Sequence, residues 1–377
     1  MSSAERSGAR ARRALDVLRV LAREPRPAGS DSEARARSYC AAQLRNAGFV
    51  VNEEPFEYSA FPGRWGTPAG GLVALAVLMV ATTAGRAGKP TVAILVLTLG
   101  GVVLGLAARW LARRGVLAFP ALRRRGVNLV ATRRNQASAE PTVWLMAHLD
   151  SKSQPVPILL RAAGITLVAV VCAVGLIVAA MQLALDADLG GAWRSLLVLA
   201  IVGAIPVIAT TVGAGSPGAL DNATGVATVL AAVEEASQSA CHVCLTSAEE
   251  LGLAGARAWV RGAHHSGTRV AINCDGVDDH GTTTCMYSGR RPRALVETVL
   301  AAGLRAGSRI RAHRLLPGVL TDGVALADAA WSVVTLSKGG IRTLARIHTS
   351  RDTADRLDGT GMAEVAGVIV ELLQTGT

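Results

Sequence analysis

Aromatic residues make up only 3% of this 377-residue chain, and that scarcity removes one class of function. The net charge of +11 invites a polyanion, but binding single strands needs aromatic stacking platforms that are missing here. No nucleic-acid partner is expected. Charge is also sparse, 18% against a hydrophobic share of 50%, too little for an ordinary water-soluble globule. Disulfide-framework spacing is absent from the cysteines Cys40, Cys172, Cys241, Cys244, Cys274 and Cys285. Cys241-x-x-Cys244 has no second pair to complete a zinc knuckle, and at that offset two side chains of a strand face opposite ways. Reduced core thiols are the expectation. The amino terminus does not read as a signal peptide: Ala14, Leu15, Val17, Leu18, Val20 and Leu21 alternate with charges in an amphipathic helical pattern.

What the chain has in abundance is long apolar stretches. Residues 67–84 and 91–108 are uncharged, with a short turn holding Arg86, Lys89 and Pro90 between them. Each is close to the roughly 20 residues that span a bilayer as a helix. Residues 158–185, with only Arg161 near the start, and 196–212 make a second pair around Asp186, Asp188 and Arg194. Trp193 stands where an interface anchor belongs. Two hairpins return the chain twice to one side of a membrane. The spacing therefore predicts five stretches: residues 1–66, a first hairpin 67–112, residues 113–155, a second hairpin 156–215, and residues 216–377.

Outside the hairpins the pattern is that of a soluble α/β domain. Pro25 to Gly29 break the first helix, and Ser30 or Asp31 can cap a second one reaching about Ala47. Residues 49–51 and 56–58 read as strand fragments, and residues 127–131 and 143–147 as buried strands. Further on, helices near 223–236, 252–261, 291–306 and 362–373 alternate with strands at 241–246, 270–274 and 332–336. Carboxylates and imidazoles recur where these strands end, which is where α/β folds build their sites. His148 and Asp150 follow one strand, Glu249 and Glu250 another, and Asp275 a third; His348 sits in a late loop. Asp221 lies on a glycine-flanked turn before a helix, where the helix dipole keeps it ionised.

Together these residues have a chemistry. Two zinc ions sharing a water need imidazole and carboxylate ligands, one carboxylate bridging. His148, Asp221, Glu250, Asp275 and His348 can supply them. Glu249, beside a ligand, is left to take a proton from the water, and Asp150 can accept the other ring N–H of His148 and fix its tautomer.

His148-Leu-Asp150, Gly218 to Gly225 (GALDNATG), Glu249 to Gly255 (EELGLAG), Asn273-Cys-Asp275 and His348 to Thr353 (HTSRDT) stand in one order. In that order and spelling the chain resembles the co-catalytic di-zinc aminopeptidases of the aminopeptidase Y and bacterial leucyl aminopeptidase type. The resemblance covers about residues 5–60, 113–155 and 216–377 and leaves the apolar hairpins as insertions. It implies a three-layer α/β/α zinc-exopeptidase fold around a central mixed sheet, and two Zn2+. Asp221 would bridge, His148 and Asp275 would hold one ion, and Glu250 and His348 the other. Glu249 would act as general base and then acid, and a free α-amine on the peptide would restrict cleavage to the first residue. The family's usual Ser-Asp-His is Thr321-Asp322-Gly323 here, and the oxyanion-stabilising tyrosine of some members has no clear counterpart, Tyr287 included.

Further expectations follow from the membrane pattern. Six arginines in residues 109–125, with Arg133 and Arg134, outnumber the charges in the hairpin turns, which places the catalytic part and both termini in the cytoplasm. Membrane lipid is then a partner beside peptides with a free amino terminus. His148 and Asp221 each lie about ten residues from an apolar segment, a tether of at most about 35 Å. The competing readings are a non-catalytic membrane receptor or scaffold on this fold, or another zinc enzyme on it, such as a glutaminyl cyclase or a carboxypeptidase.

Overall fold

The computed structural model describes residues 3–133, 143–237, 239–262, 269–316 and 318–375. Arg134, one of the flanking arginines, lies outside them. The chain divides into two compact units: Met1–Ser59 with Leu122–Ser153 and Ala214–Thr377, and Ala60–Ala121 with Gln154–Gly213.

The first unit is built on one eight-stranded sheet. Its strands are β1 (Phe49–Ser59), β2 (Arg123–Arg133), β3 (Val143–His148), β4 (Cys241–Thr246), β5 (Val270–Val277), β6 (Thr282–Tyr287), β7 (Ile310–Arg314) and β8 (Ser332–Gly339). They lie in the order β1-β2-β4-β3-β5-β8-β6-β7. The centre, β4-β3-β5-β8, is parallel, and antiparallel pairs flank it, so the sheet is mixed. All of β3 is buried, and its side chains alternate between two cores, as a two-residue period requires. Val143, Leu145 and Ala147 join Leu18, Val229, Val296 and Ile369 from helices on one face. Trp144 and Met146 join Trp259, Leu326 and Trp331 on the other. Three layers result. Cys241 enters the first core and Cys244 the second, both as free thiols.

Several expected boundaries shift, each for a physical reason. The two fragments at 49–51 and 56–58 are one strand running through Pro55. Because β1 is an edge strand, the missing proline N–H costs no interior ladder bond. Strands β6 and β7 were not anticipated; β7, Ile-Arg-Ala-His-Arg, lies on the opposite edge and buries too little to show an apolar run. Ser30, not Asp31, caps the second helix: its Oγ accepts the Glu33 N–H at 3.2 Å, while Glu33 accepts the Gly29 N–H at 2.6 Å.

The second unit consists mainly of four helices, Phe61–Arg86, Pro90–Trp110, Ile158–Leu185 and Gly190–Ile208, all long and apolar enough to cross a membrane. The unit's first part spans residues 60–121 instead of 67–112, because Phe61, with proline following it, starts the helix early and its ring stacks on Phe119 at 4.8 Å. Small residues let these helices approach: a Cβ on Gly164 would lie 2.6 Å from the Gly203 carbonyl oxygen. Large apolar side chains such as Leu99, Val103, Leu106 and Ile177 point outward. Trp193 is not an interface anchor. It is 1% exposed, and its Nε1–H donates to Gln182 Oε1 at 2.8 Å, while Gln182 donates on to the Gly85 carbonyl at 2.9 Å. The indole fits because position 85 has no side chain; a Cβ there would lie 2.1 Å from the ring.

Candidate metal centre

The site assembles at the ends of β3, β4 and β5 and on two loops of the first unit. His148 is the last residue of β3, and its Nδ1–H donates to the Asp150 backbone carbonyl at 3.0 Å. The Asp150 carboxylate stands farther off, with Oδ1 at 3.6 Å from the same ring nitrogen. The carboxylate instead accepts the N–H groups of Glu249 at 3.0 Å and Glu250 at 3.2 Å. Two turn donors in a buried place outcompete a ring that a nearer carbonyl already satisfies.

Asp221 lies in the short segment Ala219–Ala223, held from both sides. Asp352 Oδ1 accepts the Leu220 N–H at 2.6 Å and Oδ2 the Asp221 N–H at 3.2 Å. Asn222 donates to the Cys274 carbonyl at 2.8 Å and accepts the N–H groups of Gly225 and Gly276, tying this turn to the end of β5. Gly225 is obligatory, since a Cβ would lie 2.4 Å from the Cys274 carbonyl oxygen. Strain gathers here too: Ala248 and His348 hold φ of 57° and 62°, costing roughly 1–2 kcal/mol each as left-handed non-glycine residues.

The five predicted ligands and Glu249 come together. His148 Nε2 lies 3.1 Å from Asp221 Oδ1 and 3.8 Å from Asp275 Oδ1. His348 Nε2 lies 2.9 Å from Asp221 Oδ2 and 3.2 Å from Glu250 Oε1. Two triads result, His148–Asp221–Asp275 and Asp221–Glu250–His348, and Asp221 gives one oxygen to each. Glu249 Oε2 is 3.9 Å from His148 Nε2. Sequence reasoning missed the grip of Asp352 on the Asp221 turn and the presence of Lys152, whose Nζ lies 2.7 Å from Glu250 Oε2. Asp352 belongs to the HTSRDT stretch but had no assigned partner; Lys152, four residues after His148, carried no signal without the fold.

Electrostatics argue for a cation in this cluster. Burial opposes charge on His148, yet Glu249 and the contacts with Asp150, Asp221 and Asp275 raise its pKa well above the ordinary range. Burial likewise opposes the Asp221 charge, but both histidines hold its pKa well below the carboxylate range. Burial first, and then Glu250, Asp275 and Asp322, push Glu249 far up. Buried carboxylates crowded around two imidazoles hold protons where no other cation is supplied. Zinc fits this donor set: N and O ligands about 2.0–2.2 Å from the ion stand roughly 3.3 Å apart at tetrahedral angles. The four distances within the triads, 2.9 to 3.8 Å, bracket that value.

Residues 205–373 match the sequence model of Peptidase family M28. That match covers less than half of the chain. No curated protein matches the chain in sequence. Solved structures share the fold at low identity. An aminopeptidase from Aneurinibacillus sp. strain AM-1 is 15% identical, with a TM-score of 0.57 over 98% of this chain and 95% of its own. A leucine aminopeptidase precursor from Bacteroides thetaiotaomicron is 14% identical, with a TM-score of 0.58 over 97% of both chains. A glutaminyl cyclase from the same organism, also 14% identical, reaches 0.58 over 97% of this chain and 98% of its own. The mixed sheet between two helical layers is the zinc-exopeptidase fold, and the match over residues 205–373 supports a zinc metallopeptidase.

Proposed function

We propose that this protein is an M28-type membrane-bound aminopeptidase that removes the first residue of peptides with a free amino terminus, using two zinc ions. The observation that carries the reading is the pair of triads sharing Asp221, with Glu249 at their edge. His148 and Asp275 would hold one ion, Glu250 and His348 the other, with Asp221 between them. Zinc bound there supplies Lewis acidity, making water a nucleophile at neutral pH and polarising the scissile carbonyl. Glu249 takes the proton as the water attacks and returns it to the leaving amine. Asp150 positions Glu249 and Glu250 through their backbone, and Asp352 positions Asp221.

The four apolar helices support a multi-pass membrane protein, and the arginines at 109–125 support a cytoplasmic catalytic unit. Substrates at the bilayer, such as signal-peptide remnants or amphipathic peptides, are then favoured over soluble peptides with the same first residue. Labelling by an impermeant thiol reagent of a cysteine placed near the amino terminus, in intact cells, would overturn the sidedness.

The test of function is hydrolysis of a panel of aminoacyl chromogenic amides by the detergent-purified full-length protein. Activity is expected with zinc, abolished by chelator, and reduced about a thousand-fold in kcat by Glu249→Gln. The cyclases that share the fold make an amino-terminal glutaminyl substrate, followed for cyclisation, a necessary member of the panel. Bound zinc without turnover of any substrate would favour the receptor or scaffold reading.

A further inference from the structure

One charged side chain of the centre has no part in the steps above. Lys152 follows β3 in an extended segment whose backbone is pinned on both sides. The Leu149 N–H donates to the Thr246 carbonyl at 2.8 Å and the Ser151 N–H to the Arg26 carbonyl at 2.9 Å. Ser153 Oγ accepts the Gly215 N–H at 2.8 Å. The Lys152 side chain is 15% exposed, and its Nζ meets Glu250 Oε2 at 2.7 Å. The two oxygens of Glu250 are thereby divided: Oε1 faces His348 in the metal triad, and Oε2 belongs to the lysine. An ammonium has three N–H donors and this pair uses one. Its partner Glu250 adjoins Glu249 in the chain, and the charges of Glu249 and Asp221 also bear on the ammonium.

The balance of charge shows what such a group is for. Asp221, Glu250, Asp275 and Glu249 carry four negative charges, equal to those of two divalent ions. Asp150, Asp352 and Glu33 share one buried cation, Arg26, and Asp322 is a further buried carboxyl acting on Glu249. As water attacks, its proton neutralises Glu249, and the negative charge lost there reappears on the substrate. That charge is the oxygen of the attacked carbonyl. The tyrosines offer little: Tyr58 is fully buried on β1, Tyr39 packs on the core, and Tyr287 lines a cleft with Thr321 and Val324.

We propose that Lys152 is a catalytic residue that donates hydrogen bonds to the oxyanion of the tetrahedral intermediate. As water adds to the carbonyl carbon, the C=O π pair moves onto oxygen and the Lys152 ammonium binds it. As the C–N bond breaks, the pair returns, the amine takes its proton from Glu249, and Lys152 is released unchanged. A preorganised charged donor in a dry site is worth far more to the developing charge than to the neutral ground state. This rests on the peptidase reading above.

The test compares the full-length wild type with Lys152→Met and Lys152→Arg, at saturating zinc, on the best aminoacyl chromogenic amide. Three readouts are needed: kcat and KM, zinc content, and affinity for an α-aminoboronic acid, a tetrahedral anion mimic, against the product amino acid. Lys152→Met should lower kcat by roughly a hundred-fold or more, the loss seen for one oxyanion donor, with KM within about three-fold. Zinc content should stay at the wild-type value, boronate affinity should fall in parallel with kcat/KM, and product affinity should hold. Lys152→Arg should recover part of both losses. Unchanged kcat in Lys152→Met overturns the proposal. A loss that follows zinc content, or that lowers boronate and product affinity alike, reduces Lys152 to a positioning residue for Glu250 and also overturns it. A wild type with no turnover fails the peptidase reading itself, a result distinct from a fully active Lys152→Met.

Discussion

The two units of this chain place polar and apolar groups in opposite ways. In the sheet unit the two faces of β3 are packed with apolar side chains, and the polar groups are concentrated at the strand ends. There His148, Asp150, Asn222 and Asp352 are each at most 1% exposed, and the side-chain oxygens of Asp150, Asn222 and Asp352 each accept backbone N–H groups. In the helical unit the outer surface is apolar, glycines allow close helix contact, and the buried polar link joins Trp193, Gln182 and Gly85. The first arrangement spends stability on preorganising charge for chemistry; the second suits a solvent that cannot hydrogen-bond. One chain supports both because the two units close separate cores.

That contrast can be broken from either side. Within the helical unit, Trp193→Ala removes a buried indole and strands Gln182, so it should cost about 3–5 kcal/mol in detergent unfolding. Leu106→Ala on the outer face should stay within about 0.5 kcal/mol. Similar costs for the two would mean that the outer face is packed in a way this structure does not contain. Within the sheet unit, Asp352→Asn keeps the shape but weakens the grip on Leu220 and Asp221. Zinc affinity by competition with a chromophoric chelator should fall roughly ten- to a hundred-fold, as the loss of a group that orients a ligand does.

A smaller effect distinguishes buried charge from metal chemistry. Burial, with Asp150 and Asp275 adding repulsion against His148 and Thr246, pushes the Asp322 carboxyl up to about 7. Its folded pKa is above the unfolded one, so the stability it confers is complete below about pH 4 and is lost as pH rises toward 7. Asn does not titrate. Metal-free wild type should therefore lose stability relative to Asp322→Asn over that window, on the order of 4 kcal/mol by denaturant unfolding. A constant difference across the window would mean that Asp322 stays ionised.

How much of this could be read beforehand differs between the two units for the same reason. His148, Glu250 and Asp275 follow strands whose apolar runs are short and bounded, so both the strand and the residue at its end stand out. The edge strand β7, nearly as polar as a loop, does not. The Asp150 side chain, two residues from His148, is visible in a sequence, whereas the nearer backbone carbonyl of the same residue is not. Trp193 misled because position along an apolar segment says nothing of helix rotation, and its partners Gln182 and Gly85 come from two other helices. Asp352 reaches Leu220 and Asp221 across 132 and 131 positions of sequence, and Lys152 meets Glu250 from another strand end. Only the fold brings such partners together.

The central claim is that Asp221 joins two metal positions into one centre, and zinc titration of the full-length protein tests it most directly. Wild type should bind two zinc ions per chain, and Asp221→Asn should weaken both steps, because each triad loses an oxygen. One ion bound by the wild type, or a variant that keeps one step at full affinity, would contradict the shared-ligand centre.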